Sequence, residues 1–198
     1  MKKSFLTLII IVLVLNSCST DSELEVSKIS SQKISEVVNE KNLSVQKLKY
    51  SLLSKEDKFS IWENKINNLI NDNLNDEQKS LILDLKNHLN VSIFDDDLNN
   101  DTREIFKTVY SKQFLEKANT IFSEEFIITN FYYINYKFYD GENSNCNCTS
   151  QSSVTCLSTI QNPLFCKKGY ADCKQSLKNC GFLLRYDCDG MCLSVHDM

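Results

Sequence analysis

Cysteine is the residue type whose number and spacing carry chemistry in this chain. The 198 residues include 9 cysteines, which fall into two sets. Cys18 stands alone behind Leu15, Asn16 and Ser17. The other eight are Cys146, Cys148, Cys156, Cys166, Cys173, Cys180, Cys188 and Cys192, and residues 19 to 145 contain none. Thiols at this density either hold metal or oxidise in pairs. Structural zinc sites bring ligands in C-x2-C-like pairs, whereas the intervening lengths here are 1, 7, 9, 6, 6, 7 and 3 residues. Only Cys188 and Cys192, with His196 beyond them, have a tolerable zinc-pair gap, and iron–sulfur spacings are missing. No C-x-x-C redox motif occurs, and the neighbours in Cys146-Asn147-Cys148 read as bonded to different partners. The expectation is four disulfides, with no metal and no cofactor. Eight cysteines allow about 105 pairings, and spacing does not choose among them.

Disulfides persist in oxidising compartments, and the first residues supply the route to one. Lys2 and Lys3 precede an eleven-residue stretch, Phe5 to Leu15, that is apolar apart from Thr7. A helix of that length spans about 16 Å, roughly half a hydrocarbon core, so it reads as a secretory signal over residues 1–17. Leu15-Asn16-Ser17-Cys18 resembles a bacterial lipobox, in which cleavage falls before the cysteine and its sulfur takes diacylglycerol. Acyl chains such as palmitate contribute about 0.8 kcal/mol per buried CH2, so several on one residue anchor a protein firmly. The polar, acidic run from Ser19 to Glu23 resembles the stretch behind the anchor in surface-exposed lipoproteins of Bacteroidetes. The expected location is the bacterial outer membrane or cell surface, with membrane lipid as partner through acylated Cys18.

Composition narrows the function classes. The chain is 42% hydrophobic and 24% charged, enough apolar content to build a core. A net charge of -4 leaves no electrostatic footprint for nucleic acid. Four glycines argue against Rossmann or P-loop chemistry, whose turns need several together. From residue 141 onward five positives (Lys167, Lys168, Lys174, Lys178, Arg185) offset five negatives, so the cysteine-rich part is neutral. That cluster of lysines reads as a mixed solubilising surface as well as it reads as a face for anionic lipid or glycan.

The elements that must position the cysteines are helices. Ser54 to Asp57 resembles a capping box with Asp for the usual Glu, ahead of Phe59, Trp62, Ile66, Leu69 and Ile70 at helical spacing. Asn75 with Gln78 caps a second helix striped by Leu81, Ile82, Leu85 and Leu89. Residues Asn99 to Thr102 start a third, with Ile105, Phe106, Val109, Leu115, Ala118 and Phe122 on its face. Upstream, Ile29, Val37, Val38, Val45 and Leu48 give a looser pattern. Phe126 to Tyr139 is strand-like in composition, but Ser123-Glu124-Glu125 favours a last helix. Beyond the polar linker Gly141 to Asn145, Gly181 to Tyr186 is the best strand candidate, and Asp189-Gly190 suits a tight hairpin turn. The expected fold is mainly α: residues 18–50 tether and loose helix, 51–140 helical bundle, 141–198 a small disulfide-rich module with short strands.

Other candidate sites are weak. An EF-hand loop from Asp95 would need Gly where Asn100 stands and Glu where Phe106 stands, so Asp95 to Asp101 reads as a solvated loop capping a helix. His88 reads as a surface or dipole-facing residue, His196 has no triad partner at readable spacing, and Trp62 is placed as a core anchor. No G-x-S-x-G or H-E-x-x-H occurs, and no enzyme is expected.

The run Leu52 to Lys65, the Cys146-Asn147-Cys148 opening, Cys180-Gly181 and the Cys188-Asp189-Gly190-Met191-Cys192 ending resemble the bacteriocin fulvocin C-related proteins of Bacteroidetes. Those join a lipoprotein-type signal and a helical segment to an eight-cysteine C-terminal module. The resemblance implies an exported, lipid-anchored envelope protein whose module binds an unidentified protein or other envelope target, and it implies bacteriocin-like activity. The alternative is a non-toxic structural or glycan- or protein-binding envelope lipoprotein.

Overall fold

The structure is a computed structural model, and it describes residues 20–97, 100–135, 148–151, 156, 164–169 and 177–194. The signal, Cys18, the linker, Cys146, Cys173 and His196 lie outside the described residues. The protein is mostly helical, and its cysteine-rich end carries short strands, as its composition predicts.

The described residues begin with four helices: α1 (Thr20–Val38), α2 (Leu43–Ser51), α3 (Lys55–Ile70) and α4 (Asp76–His88). The segment from residue 20 is thus helix where a tether is expected. Side-chain caps set most of the starts. Ser54 Oγ accepts from Asp57 N–H at 3.1 Å, while the Asp57 carboxylate turns to Ser30 Oγ on α1 and ties the two helices. Asn75 and Gln78 form the reciprocal box, each side chain on the other's backbone N–H. Burying Trp62, Ile66, Ile82 and Leu85 against one another places the core between α3 and α4. Trp62 is fully buried and donates from Nε1 to Tyr50 Oη at 3.0 Å, so the core anchor also satisfies its one polar atom.

A 3-10 turn (Val91–Phe94) leads to α5 (Asp101–Ile105), capped by Asn100. The chain continues through one π turn (Phe106–Tyr110) into α6 (Ser111–Ile121). The extra residue of a π turn rotates whatever follows. It also explains a correction: Ile105 and Val109 are 60% and 47% exposed, while Phe106, Phe114, Leu115 and Ala118 are buried. Helix α7 (Glu124–Phe131) starts at Ser123, which accepts from Phe126 N–H.

Helix α2 is also turned against expectation. Val45 and Leu48 face solvent, while Gln46, Lys47 and Tyr50 are buried. Gln46 is satisfied there by donating to the Val37 carbonyl at 3.0 Å.

Among the described residues two antiparallel strand pairs follow: β1 (Leu164–Lys168) with β4 (Gly190–Ser194), and β2 (Leu177–Cys180) with β3 (Tyr186–Cys188). The Gly181 to Tyr186 strand expectation fails. Phe182–Leu184 is a 3-10 turn closing the β2–β3 hairpin, with Leu183 and Leu184 at φ 51° and 57°. Asp189-Gly190 is no hairpin turn either, because β3 and β4 belong to different sheets.

Candidate functional site: the disulfide cluster and its seat on the helices

Six of the eight downstream cysteines are described, and all six are paired. The bridges are Cys148–Cys166, Cys156–Cys192 and Cys180–Cys188, with Cα separations of 5.9, 5.7 and 5.1 Å, inside the range a disulfide spans. Cys148 therefore does not bond its neighbour Cys146. The strand pairs bring these residues together: Cys166 faces Cys192 in the β1–β4 register, and Cys148 forms an isolated bridge to Gly190.

The β2–β3 hairpin inserts into the helical core. Phe182 is fully buried, and its ring centroid lies 5.2 to 6.4 Å from those of Phe106, Phe114, Phe131 and Tyr132. Leu183, Leu184 and Tyr186 join the same apolar cluster as Trp62 and Ile82. Each bulky residue at positive φ carries a conformational cost. Burial of the Phe182-Leu183-Leu184 tip offsets it.

Polar contacts fix the seat. In the π turn, Ser111 N–H bonds to the Phe106 carbonyl rather than to that of Lys107. The Lys107 carbonyl then accepts from Tyr186 Oη at 2.7 Å and from Ser111 Oγ at 2.6 Å. Asn179, at φ 76°, donates to the Lys47 carbonyl at 3.0 Å. Above it, Lys47 Nζ lies 3.0 Å from Cys180 Sγ and 3.7 Å from Cys188 Sγ, and burial pushes this ammonium down to about 7.

The acidic loop proposed for no metal has a different occupation. Lys55 binds Asp95 at 2.8 Å; Lys58 binds Asp96 at 2.7 Å, and Arg185 reaches the same carboxylate at 3.1 Å. Burial would raise the Asp96 carboxyl, but the Lys58 hydrogen bond and charge, with Arg185, hold it below the usual range. Arg185 thus belongs to the interior, not to an exposed basic patch; its Nε is buried with no hydrogen-bond partner among the described residues. Lys167 and Lys168 are exposed on β1, while the Lys174 and Lys178 side chains lie outside the described residues. His88 is exposed, stacked on Tyr110 with centroids 4.0 Å apart.

Lys47 and the π turn are the features that sequence reasoning missed. Nothing in a residue string separates a buried lysine from a surface one. Compared with known proteins, the chain matches no family model, no curated protein and no solved structure.

Proposed function

We propose that this is an exported bacterial lipoprotein, anchored in the outer membrane or at the cell surface through acylated Cys18, whose cysteine-rich end binds an envelope target. The observation that supports the reading is the bridging itself: the six described downstream cysteines all lie at disulfide distance. Such bridges persist in oxidising spaces. The β1–β4 sheet is the part available for a target, since none of its described residues joins the main apolar cluster. Metabolic palmitate labelling with mass analysis of the first mature residue tests the anchor. A diacylglyceryl adduct on Cys18, lost with the membrane fraction in Cys18→Ser, is expected; an unmodified Cys18 in natively produced protein overturns it.

The resemblance to bacteriocin-related proteins implies toxicity, but one contact favours the non-toxic binding alternative. A cut in the Gly141 to Asn145 linker would not free a module while Phe182 and Tyr186 remain packed among the helices. Oxidised whole mature chain applied to related bacteria separates the two. Binding to envelope fractions without growth inhibition is the expected result, and killing would restore the bacteriocin-like reading.

A further inference from the structure

Two of the three described bridges meet. The sulfurs of Cys148, Cys156 and Cys192 lie within 4.8 Å of one another, and Cys148 is bonded to Cys166. Cys166 stands opposite Cys192 across β1 and β4, yet each is bonded elsewhere. Three sulfurs from three places in the chain therefore converge, and the fourth, that of Cys166, is bonded to one of them.

We infer that these four cysteines, once reduced, form a tetrathiolate site for Zn2+. The backbone that holds three of them is joined by hydrogen bonds as well as by the bridges. Strands β1 and β4 pair from Leu164 opposite Ser194 to Lys168 opposite Gly190. Cys148 donates its N–H to the Gly190 carbonyl at 3.3 Å, and its own carbonyl accepts from Asp189 and Gly190 at 3.1 and 3.3 Å. The Asp189 carboxylate clamps the next turn, accepting from Ser150 N–H at 2.6 Å and Ser150 Oγ at 2.5 Å. Cys148, Cys166 and Cys192 thus share one patch of paired backbone, Cys156 completes the set, and a bound metal would replace the two bridges as the cross-link that closes it.

The geometry suits zinc. Tetrahedral Zn–S bonds of about 2.3 Å place the sulfurs about 3.8 Å apart. Bonded pairs must open to that distance and the looser contacts must close to it, movements that rotation about Cα–Cβ supplies. Gly190 keeps the space clear, since a Cβ there would sit 2.6 Å from Cys166 Sγ and 2.8 Å from the Lys167 carbonyl. Each bridge takes two electrons and two protons from a dithiol, which leaves as its own disulfide. The four thiols then release four protons as they bind Zn2+, giving a centre of net charge minus two. Bridges and metal exclude each other, so the site exists only where the chain is kept reduced. Cys180 and Cys188 belong to the hairpin and supply no ligand.

The test uses the whole mature chain carrying Cys18→Ser, reduced with a phosphine and titrated anaerobically with Co2+. A tetrahedral thiolate spectrum saturating at one equivalent, with charge transfer in the near ultraviolet and d–d bands in the red, is expected, bleached by one equivalent of Zn2+. The Cys180→Ser/Cys188→Ser and Cys146→Ser/Cys173→Ser variants should keep it. Cys148→Ser and Cys192→Ser should each lose the four-sulfur intensity, with helical circular dichroism showing that the bundle stands. An octahedral spectrum, saturation without a break at one equivalent, or equal loss in the Cys180→Ser/Cys188→Ser variant would overturn the assignment. Because this protein is reduced and unacylated, the outcome is independent of whether the chain is exported.

Discussion

The two strand pairs of the cysteine-rich end are stabilised in different ways. The β2–β3 hairpin has a core, borrowed from the helices: Phe182 sits among four aromatic rings, and Tyr186 bonds into the π turn. The β1–β4 sheet has no share in that core and is held by its ladder and two bridges. Disulfides thus reinforce packing in one region and stand in for it in the other. A boundary drawn by cysteine density is not a boundary in packing.

Truncating the tip should break this contrast most severely. Phe182→Ala empties a fully buried site, and the helical unfolding transition in urea should lose about 4 kcal/mol. Opening the two kinds of bridge should sharpen it. By loop length alone Cys148–Cys166, 18 residues apart, outweighs Cys180–Cys188, 8 apart. The packing predicts the reverse for the helices. The Cys180→Ser/Cys188→Ser variant should cost the helical transition about 2.5 kcal/mol, and Cys148→Ser/Cys166→Ser should leave it unmoved.

Lys47 gives a pH signature to the junction. Its folded pKa of about 7 lies below the ordinary 10.5, so between those values the unfolded chain binds more protons than the folded one. Lys65, pushed down to about 7 by its own burial, acts with the same sign. Lys47 should therefore add about 2 kcal/mol of stability from pH 7 to 9, and Lys47→Met should remove that share of the rise and leave the share of Lys65. Denaturant titrations stop short of pH 10, where the raised pKa values of buried Tyr50 and Tyr186 and half-buried Tyr110 reverse the slope. The smallest effect belongs to a helix start remote from the cysteines. Ser123→Ala removes the bond to Phe126 N–H and should cost about 1 kcal/mol, equally with bridges open or closed.

What a residue string discloses here is what acts over a few positions. Ser54, Asn75, Asn100 and Ser123 announce their helices because a cap satisfies backbone groups two or three residues away. Trp62 is legible as core because its phase agrees with Ile66 and Leu69. The hairpin is not legible, since three left-handed non-glycine residues, Asn179, Leu183 and Leu184, have no local advertisement. Their conformation is imposed by the cavity they fill. The same holds for Lys47, taken inside beside cysteine sulfurs 133 and 141 positions away, while Gln46 is received by the end of the preceding helix. Pairing of the cysteines is encoded neither by spacing nor by strand register alone, since Cys166 and Cys192 face each other across β1 and β4 yet each bonds a cysteine outside that pair.

The aromatic ring around Phe182 also has a consequence in time. Its partners Phe106, Phe114 and Phe131 precede it by 51 to 76 positions, whereas each helix closes over neighbours three or four apart. Contacts that span such loops form later than helical turns. During refolding, helicity should recover first, leaving an unfilled slot among the rings. The protein should become resistant to proteolysis only when the hairpin docks.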